Sequence, residues 1–383
     1  MWPYWLMFLL PAAAALQTSH LGGAAAVRSR LATVNFTSLV VWFLLALLLG
    51  YRFEVGGDWF NYFRYLDDVS GLAFADVIIK PDPAYQVLSW ISVEMDWGIF
   101  GVNLIGGAIF AFGLVAFCWA QPRPWLALAI AIPYLVIVVG MGYTRQAIAL
   151  GLEMLGLLSL RNKSTSNFVI WMILAALFHK TAVMLIPIAA LAGSKNRYWT
   201  AAWVAVTVVI LYYFLLAKEM DALVTNYVGG AMQSDGALVR LLMNAVPASI
   251  LLIWSSRFSL AQSEASLWRW IAIISLLLLI LFVIMPTAST ALDRMALYML
   301  PLQLVVFSRL PLAFGATGNV NRHANKSSLP NSSISRLNAG KATPKLTFAV
   351  LLYYGCVQFI WLNFATNAFA WQEYRFYPWE LLS

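Results

Sequence analysis

Long apolar segments separated by short polar ones make up most of this chain. The segments lack the period-2 alternation of barrel strands, and most of them approach the length that a helix needs to cross a hydrocarbon core of about 30 Å. The pattern therefore predicts an all-α polytopic membrane protein, folded as a single transmembrane domain over residues 1–383. About ten transmembrane helices are predicted, at roughly 2–16, 34–50, 99–119, 125–140, 142–160, 199–217, 238–254, 268–285, 295–308 and 346–363.

A further apolar stretch, 168–193, is interrupted by His179 and Lys180. Basic residues flank it on both sides, and its first arm, 168–178, would cover only about 17 Å as a helix. We therefore predict a short intramembrane hairpin that turns at His179 and Lys180 inside a protein-lined cavity, where polar groups at membrane depth are tolerated. Two short spans are the alternative.

Composition supports the membrane class. The 383 residues are 62% hydrophobic and 10% charged, whereas soluble domains carry about 25% charged residues. The net charge of +8 does not indicate nucleic-acid binding, because the basic residues cluster in short loops between spans, as the positive-inside rule expects of cytoplasmic loops. The two cysteines, Cys118 and Cys356, lie inside apolar runs and are interpreted as packing residues.

The charge rule also assigns the two sides of the membrane. The segment 309–345 carries six basic residues and no acid, is rich in Ser, Asn and Gly, and is predicted to be a flexible basic cytoplasmic loop. The opposite side receives the loop 51–98, which holds eight of the sixteen Asp and Glu residues. This extracytoplasmic loop is predicted to form two interfacial helices, near 58–68 and 84–96.

The beginning of the extracytoplasmic loop combines polar and aromatic side chains. If a helix starts at Asp58, this residue shares one face with Asn61. Tyr62 and Tyr65 follow on the same face, and Trp59 begins the adjacent apolar stripe. A carboxylate, an amide and two phenols on one face are suited to sugar hydroxyls, and aromatic rings are suited to the C–H faces of sugar rings. Alternatively, Asp58 merely caps the helix; the two roles are compatible.

Four cations are predicted on or toward the extracytoplasmic side, which the charge rule depletes of Lys and Arg: Arg52, Arg145, Lys180 and Arg294. A single Arg at a helix end is ordinary, and Asp293 beside Arg294 could form a local ion pair. Four such cations on one side indicate an anionic binding partner. A pyrophosphate is suitable, because guanidinium groups bind its oxygens bidentately.

His179 is the only histidine in a predicted intramembrane position. A lone His is more often structural, but its place at a helix break makes a catalytic role an equal alternative. Glu153, inside the 142–160 span, is a buried carboxylate of structural or proton-relay type. The sequence contains no Gly-rich phosphate loop, no HExxH, no CxxC and no nucleophile elbow, so no cofactor and no metal site is predicted.

Four segments resemble the motifs of one known family. The first, Tyr51-Arg52-x-x-x-Gly56-Gly57-Asp58-x-x-x-Tyr62, resembles the RxxxGxDxxxY segment of the EpsG family of Wzy-like exopolysaccharide polymerases. The others follow in the family's order: Tyr143-Thr144-Arg145-Gln146-Ala147-Ile148-Ala149 is similar to its RQxIA helix start, Ala175-Ala176-Leu177-Phe178-His179-Lys180-Thr181-Ala182 to its AxxFHxSA segment, and Asp293-Arg294-Met295-Ala296-Leu297-Tyr298 to its RxxxY element. The resemblance runs from about residue 40 to 310.

The resemblance implies a multi-spanning polymerase of the bacterial cytoplasmic membrane, with a GT-C-like helical arrangement. Its substrate would be an undecaprenyl-pyrophosphate-linked oligosaccharide delivered by a flippase, and a chain-length regulator is a further candidate partner. The growing glycan would move from its lipid carrier to a hydroxyl of the next lipid-linked unit at the extracytoplasmic face.

The candidate residues then take named roles. Arg145 would act with Arg52, Lys180 and Arg294 on the departing pyrophosphate, without a metal. The general base would be Asp58 or His179. The sugar-binding residues would be Tyr62, Tyr65, Trp59, Asn61, Asp293 and Tyr298.

Two other functional classes remain open. A lipid-linked oligosaccharide flippase or transporter could use the same cations without any chemistry, although the chain shows no internal repeat and no matched pair of broken helices. A membrane glycan acyltransferase is the third option, to which the pair His179 and Lys180 weakly points.

Overall fold

The computed structural model describes residues 1–18, 35–188, 197–211, 236–315 and 342–382. Every regular element in these ranges is a helix, and the single β-type contact there is a bridge between Arg52 and Phe376. The prediction of an all-α protein is confirmed for this part of the chain.

The helices follow the predicted apolar segments closely. The first eight are α1 (Trp2–Thr18), α2 (Phe36–Gly50), α3 (Asn61–Asp67), α4 (Phe74–Val77), α5 (Pro83–Glu94), α6 (Gly98–Trp119), α7 (Pro124–Ala131, continued by a π-helix over Ile132–Gly140) and α8 (Thr144–Arg161). The others are α9 (Thr165–Phe178), α10 (Arg197–Leu211), α11 (Ala237–Ile253), α12 (Gln262–Ile284), α13 (Ser289–Leu297), α14 (Pro301–Ala313), α15 (Pro344–Phe364) and α16 (Tyr377–Glu380).

Three of the described helices are long and apolar enough to cross a membrane: α6, the 264–284 part of α12, and α15. The helices α13 and α14 pass the same test as a pair, with a bend of 55° between them. Four of the five shorter apolar helices coincide with further predicted spans, and the fifth, Thr165–Phe178, coincides with the first arm of the predicted hairpin. The membrane class is therefore supported, while the number of ten spans and the GT-C-like arrangement stay predictions.

The helix α8 defines the two ends of the bundle. At its start, Arg145 bonds to Asp82 of the 51–98 segment, so we name this the loop end. At its C-terminal end, Arg161 donates to the backbone oxygen of Ala120, which lies at the C-terminal end of α6. We name this second end the far end.

The far end gathers basic residues that the charge rule places in the cytoplasm. Arg309 is 6% exposed and donates to Glu264 at 2.8 Å, and Arg161 lies 3.9 Å from the same carboxylate. Arg123 donates to Thr347 of α15 at 2.6 Å. The grouping of these cations at one end agrees with the predicted orientation. Most of the predicted basic loop, 316–341, lies outside the described residues.

Small residues allow α6 and α8 to pack closely. A Cβ added to Gly113 would lie 2.0 Å from the backbone oxygen of Gly151, so these two backbones touch where no side chain fits between them. Close packing of small residues is a main source of helix association inside a membrane, where apolar burial between helices drives little. The contact fixes α8, which carries much of the site, against the helix that follows the loop.

The two helices predicted for the extracytoplasmic loop are present as α3 and α5, joined through the one-turn helix α4. The start of α3 differs from the prediction, because the helix begins at Asn61 rather than at Asp58. The preceding residues form a turn in which the N–H of Trp59 donates to the oxygen of Gly56 at 3.1 Å. The side chain of Asp58 does not cap the helix.

The helix break predicted at His179 is also present. Here α9 ends at Phe178, His179 is extended, and a short 3₁₀ turn covers Lys180–Leu185. The N–H of Lys180 donates to Asp82, so the break lies at the loop end of the bundle. The end of the returning arm of the predicted hairpin, 189–193, lies outside the described residues, and the hairpin stays a prediction.

The C-terminal segment 365–382 covers the loop end. The N–H of Phe53 donates to the oxygen of Arg375 at 2.9 Å, and the N–H of Tyr377 donates to the oxygen of Tyr51 at 2.8 Å. The indole of Trp371 is 2% exposed and donates to the oxygen of Ile137. These bonds hold the stretch 51–57 against the bundle.

Gly56 is expected to be irreplaceable in that stretch. Its φ is +107°, and an added Cβ would lie 2.2 Å from the backbone oxygen of Met141. We expect Gly56→Ala to lower the apparent melting temperature in detergent clearly more than Gly71→Ala. The control Gly71 also has a positive φ, +71°, but open space around it, so it meets only the conformational penalty of about 1–2 kcal/mol. Equal melting temperatures for the two variants would contradict the packing described.

Candidate active site at the loop end

Asp82 joins three elements at the loop end. It precedes α5 with a φ of 55° and is 3% exposed. Its Oδ2 accepts from Nη1 of Arg145 at 2.8 Å, and its Oδ1 accepts from the N–H of Lys180 at 3.0 Å. The Nδ1 atom of His179 lies 3.9 Å from Oδ2. One buried carboxylate therefore brings together the segment before α5, the start of α8 and the break after α9.

The surroundings of Asp82 favour its ionised form. Burial by itself raises the pKa of the carboxyl, but the neighbouring His179 and Arg145 and the N–H of Lys180 outweigh it, and the pKa lies below its usual value. A buried carboxylate with a charged partner and backbone donors behaves in this way. Asp82 is therefore an anion that holds cationic groups in place.

The guanidinium of Arg145 lies between this carboxylate and two aromatic rings. Its Cζ is 4.6 Å from the ring centre of Tyr65 and 5.8 Å from that of Tyr85. The side chain remains 27% exposed. Asp82 takes one of its five N–H donors, and a guanidinium fixed in this way can offer others to an anion.

His179 carries a buried imidazole that can take up a proton. Its side chain is 12% exposed. Among the described residues, neither ring nitrogen has a hydrogen-bond partner. The carboxylate of Asp82 lies 3.9 Å from Nδ1 of His179, and a small rotation of the ring would bring the two atoms within hydrogen-bonding distance. Catalytic hydrogen bonds are often this long in sites without substrate. Burial of the ring disfavours its protonated form, and the carboxylate of Asp82 counteracts this effect.

Arg294 reaches the same region from α13. Its Nη1 donates to the Gln146 side-chain oxygen at 3.0 Å, and the Gln146 amide donates back to the oxygen of Arg294 at 3.2 Å. Its guanidinium lies 4.9 Å from the ring centre of Tyr143. The segments that hold Arg145 and Arg294 are thus connected directly, although 148 residues separate Gln146 from Arg294 in sequence.

Arg52 is placed differently from the other predicted cations. It is 1% exposed, and its guanidinium donates to Asn103 at 2.9 Å, to Thr144 at 2.8 Å and to the backbone oxygens of Leu49 and Val55. Burial lowers the pKa of Arg52 to about 10, so it remains charged at neutral pH. We therefore revise its predicted role from pyrophosphate binding to positioning, because it ties the loop to the start of α8.

Asp58, a candidate base, and four of the six predicted sugar-binding residues lie at the loop end and fall into two groups by exposure. Asp58 is half-exposed, Tyr65 is half-buried and Asn61 is exposed, and the Asn61 amide donates to Asp58 at 3.3 Å. Trp59 and Tyr62 are 2% and 4% exposed and belong to the core. Only the first group presents accessible polar surface at the loop end.

Two other candidates lie in the interior. Asp293 is 5% exposed and accepts from Arg240 of α11, with Nη2 to Oδ2 at 2.7 Å and a second bond from Nε. Tyr298 is 2% exposed, and its hydroxyl lies 3.1 Å from Oγ1 of Thr181. Because both side chains are buried and paired inside the bundle, direct contact between them and a sugar is not favoured. Asp293 instead links α13 to α11, and Tyr298 contacts the turn after His179.

Sequence reasoning missed Asp82, Arg240 and Tyr85. Asp82 had one local signal, since an acid directly before a proline often precedes a helix, but the sequence does not show which distant cations it meets. The described residues contain no group of three or more His, Cys, Asp or Glu side chains that could hold a metal ion.

Comparison with families of known proteins gives a match to the EpsG family over residues 35–317. This range includes Asp82, Arg145, His179 and Arg294, and it covers most of the chain. The chain belongs to the EpsG family. Membership indicates a membrane protein with a Wzy-like polymerase role in exopolysaccharide biosynthesis. Comparisons with curated proteins and with solved structures return no match.

The ion pair of Asp82 predicts a stability change with pH. Because the pKa of Asp82 is depressed in the folded state, its contribution is present above the unfolded value of about 3.9 and is lost as pH falls through the folded value. At pH 7 we expect Asp82→Asn to lose about 1.5–3 kcal/mol, typical of hydrogen bonds to charged groups. The difference from wild type should shrink below about pH 4 in thermal melts.

A matched control for this experiment is Asp76→Asn in the same loop. Asp76 is exposed, so its substitution should change the melting temperature little at any pH. A loss in Asp82→Asn that is equal at pH 7 and pH 3 would show that the charge of Asp82 is not what stabilises the loop end.

Proposed function

We propose that this protein is a polysaccharide polymerase of the bacterial cytoplasmic membrane. It transfers a glycan from undecaprenyl pyrophosphate to a hydroxyl of another lipid-linked repeat unit at the extracytoplasmic face. The observation that carries the proposal is that Arg145 and the His179–Lys180 break meet at Asp82, while Arg294 bonds to Gln146, the residue after Arg145, in an EpsG-family chain.

The cations match the leaving group. In the transfer, the bond between the anomeric carbon and the phosphate oxygen breaks, and undecaprenyl pyrophosphate leaves with additional negative charge. Arg145 and Arg294, both half-buried, with Lys180 beside them, would stabilise that charge. Preorganised donors in a site of low dielectric are the largest source of such stabilisation. Metal independence is part of the proposal and is tested with a chelator.

His179 is proposed as the general base. It would accept the proton of the acceptor hydroxyl as the oxygen forms its bond to the anomeric carbon, and Asp82, 3.9 Å away, would stabilise the imidazolium. Asp58, half-exposed beside Asn61, is proposed to bind the acceptor sugar together with Tyr65. This assignment chooses between the two bases that the sequence leaves open.

The charge distribution supports the proposed orientation of the site. The far end holds Arg123, Arg161 and Arg309, as a cytoplasmic face would. The loop end with its acidic 51–98 segment would then face the exterior, where lipid-linked units arrive after translocation. Flippase and chain-length regulator are proposed as functional partners on this basis.

The direct test uses the purified full-length chain with a synthetic undecaprenyl-pyrophosphate-linked repeat unit and EDTA. We expect a ladder of glycans that differ by one repeat unit. Unaltered substrate that is scrambled across vesicle membranes would replace the proposal with a transporter. An acylated product of unchanged length would replace it with an acyltransferase, and a ladder that EDTA abolishes would contradict the metal-independent mechanism.

Arg145→Ala should reduce the polymerisation rate by at least about 10²-fold, the usual effect of removing one donor to a developing anion. The control is Arg64→Ala, since Arg64 is an exposed cation of the same loop and should leave the rate unchanged. Membrane abundance and melting temperature are measured for both variants. Full polymer length in Arg145→Ala would exclude Arg145 from the site.

The choice of base is tested by comparing His179→Gln with Asp58→Asn. His179→Gln should lower kcat by about 10²–10⁴-fold, the range for loss of a general base, and should remove the rise in rate around its titration. Asp58→Asn should mainly raise KM for the acceptor. The reverse pattern would make Asp58 the base.

A further inference from the structure

A recess opens between α5 and α9 directly beside the site. Its volume is about 390 Å³, and its lining is almost wholly apolar. The lining side chains come from the first turns of α5 and the last turn of α9: Pro83, Ala84, Val87, Ile91, Leu177 and Phe178. Pro83 follows Asp82 in sequence and Phe178 precedes His179, so one edge of the recess is the polar cluster itself.

The helix α5 has its polar side inward. Gln86, Ser89 and Ser92 are 5%, 0% and 0% exposed, and Ser92 donates to the oxygen of Gly98 at the start of α6. Val87 and Ile91 lie one turn apart on the outward side and line the recess. A helix that faces water shows the reverse arrangement. The outward side of α5 is therefore built to meet apolar material.

The charges beside the recess identify the kind of molecule that fits it. Arg145 is anchored to Asp82 at 2.8 Å, and the side chain of Lys180 interacts electrostatically with both Asp82 and Arg145, so cationic groups stand at the edge where the apolar lining begins. A ligand with an anionic head joined to a long branched hydrocarbon chain matches both parts at once. An apolar chain without the head, or the head alone, would match only one.

We propose that this recess holds the head-proximal isoprene units of the polyprenyl pyrophosphate carrier, with the pyrophosphate at Arg145 and Lys180. The inference rests on the proposed function and deepens it, because it assigns the path by which the lipid part of the substrate enters the site sideways from the bilayer. The recess thereby makes the first part of the hydrocarbon tail, and not only the head group, a determinant of binding.

The test measures binding of undecaprenyl pyrophosphate to the full-length protein in nanodiscs. Val87→Trp and Ile91→Trp fill the recess and should weaken binding by about tenfold, the factor that corresponds to one or two lost methylene burials. The control Ile170→Trp changes a side chain of α9 that is 54% exposed and does not line the recess, and should bind as wild type. Inorganic pyrophosphate should bind equally to all four proteins.

A second measurement does not depend on the bulky variants folding well. Val87→Cys is made in a Cys356→Ser background, because Cys356 is exposed whereas Cys118 is buried. Undecaprenyl pyrophosphate should protect the new thiol from maleimide, and inorganic pyrophosphate, which has no isoprene units, should not. Equal protection by phosphatidylglycerol would overturn the proposal, since the recess would then be an ordinary lipid-facing groove. Absence of any protection, with both Trp variants binding as wild type, would overturn it too.

The outcomes separate this inference from the proposed function. Protection at position 87 without glycan ladders would support the recess as the binding site of the carrier and would favour transport over polymerisation. Ladders with normal KM in Val87→Trp and Ile91→Trp would retain polymerisation and reject the recess as the carrier's path.

Discussion

The loop end depends on one buried carboxylate and the two donors it binds. Asp82 accepts from Arg145 at 2.8 Å and from the N–H of Lys180 at 3.0 Å, and it lies 3.9 Å from His179. Without this anion, the partly buried guanidinium of Arg145 and the N–H of Lys180 would lose a shared acceptor, which is costly where water is largely excluded. The same contact that folds the loop onto the helices also gathers the groups proposed to bind a pyrophosphate, so folding and function share one constraint.

The remaining scaffold positions that carboxylate. The touching backbones at Gly113 and Gly151 set α8 against α6, and Arg52 fastens the loop to Thr144, the residue before Arg145. On the outside, the C-terminal segment pairs with Tyr51 and Phe53. Each of these devices satisfies backbone or side-chain polar groups within the protein, as a membrane environment requires. The polar cluster is thus held from the bundle and from outside it, while the edge toward α5 and α9 remains apolar and open.

Much of the fold follows from local signals in the sequence. Apolar length predicted the positions of most helices, since the boundary between hydrocarbon and polar loop is a local property of the chain. The break at His179 and the pair of loop helices were predicted for the same reason. The predicted span 295–308 is the exception, because it is divided between α13 and α14 with a bend of 55°. The partners of the charged side chains could not be predicted from local signals. The guanidinium of Arg52 donates to acceptors inside the protein, and Asp293 pairs with Arg240 from another helix. Asp82 binds Arg145 and Lys180, which lie 63 and 98 positions further along the chain. The charge rule assigns a side of the membrane to a cation, but contact between distant segments decides what that cation binds. Tyr62 and Trp59 are buried because their rings pack against Tyr85 of α5 and Phe100 of α6.

The most direct measurement is an electron cryo-microscopy structure of the full-length protein in nanodiscs with bound undecaprenyl pyrophosphate. We expect density for both phosphates beside Arg145, within hydrogen-bonding distance of its guanidinium, with Asp82 still bound to that side chain from the opposite face. Phosphate density at the far end, against Arg161 and Arg309, would contradict pyrophosphate binding at the loop end, because those two cations are assigned to the cytoplasmic face.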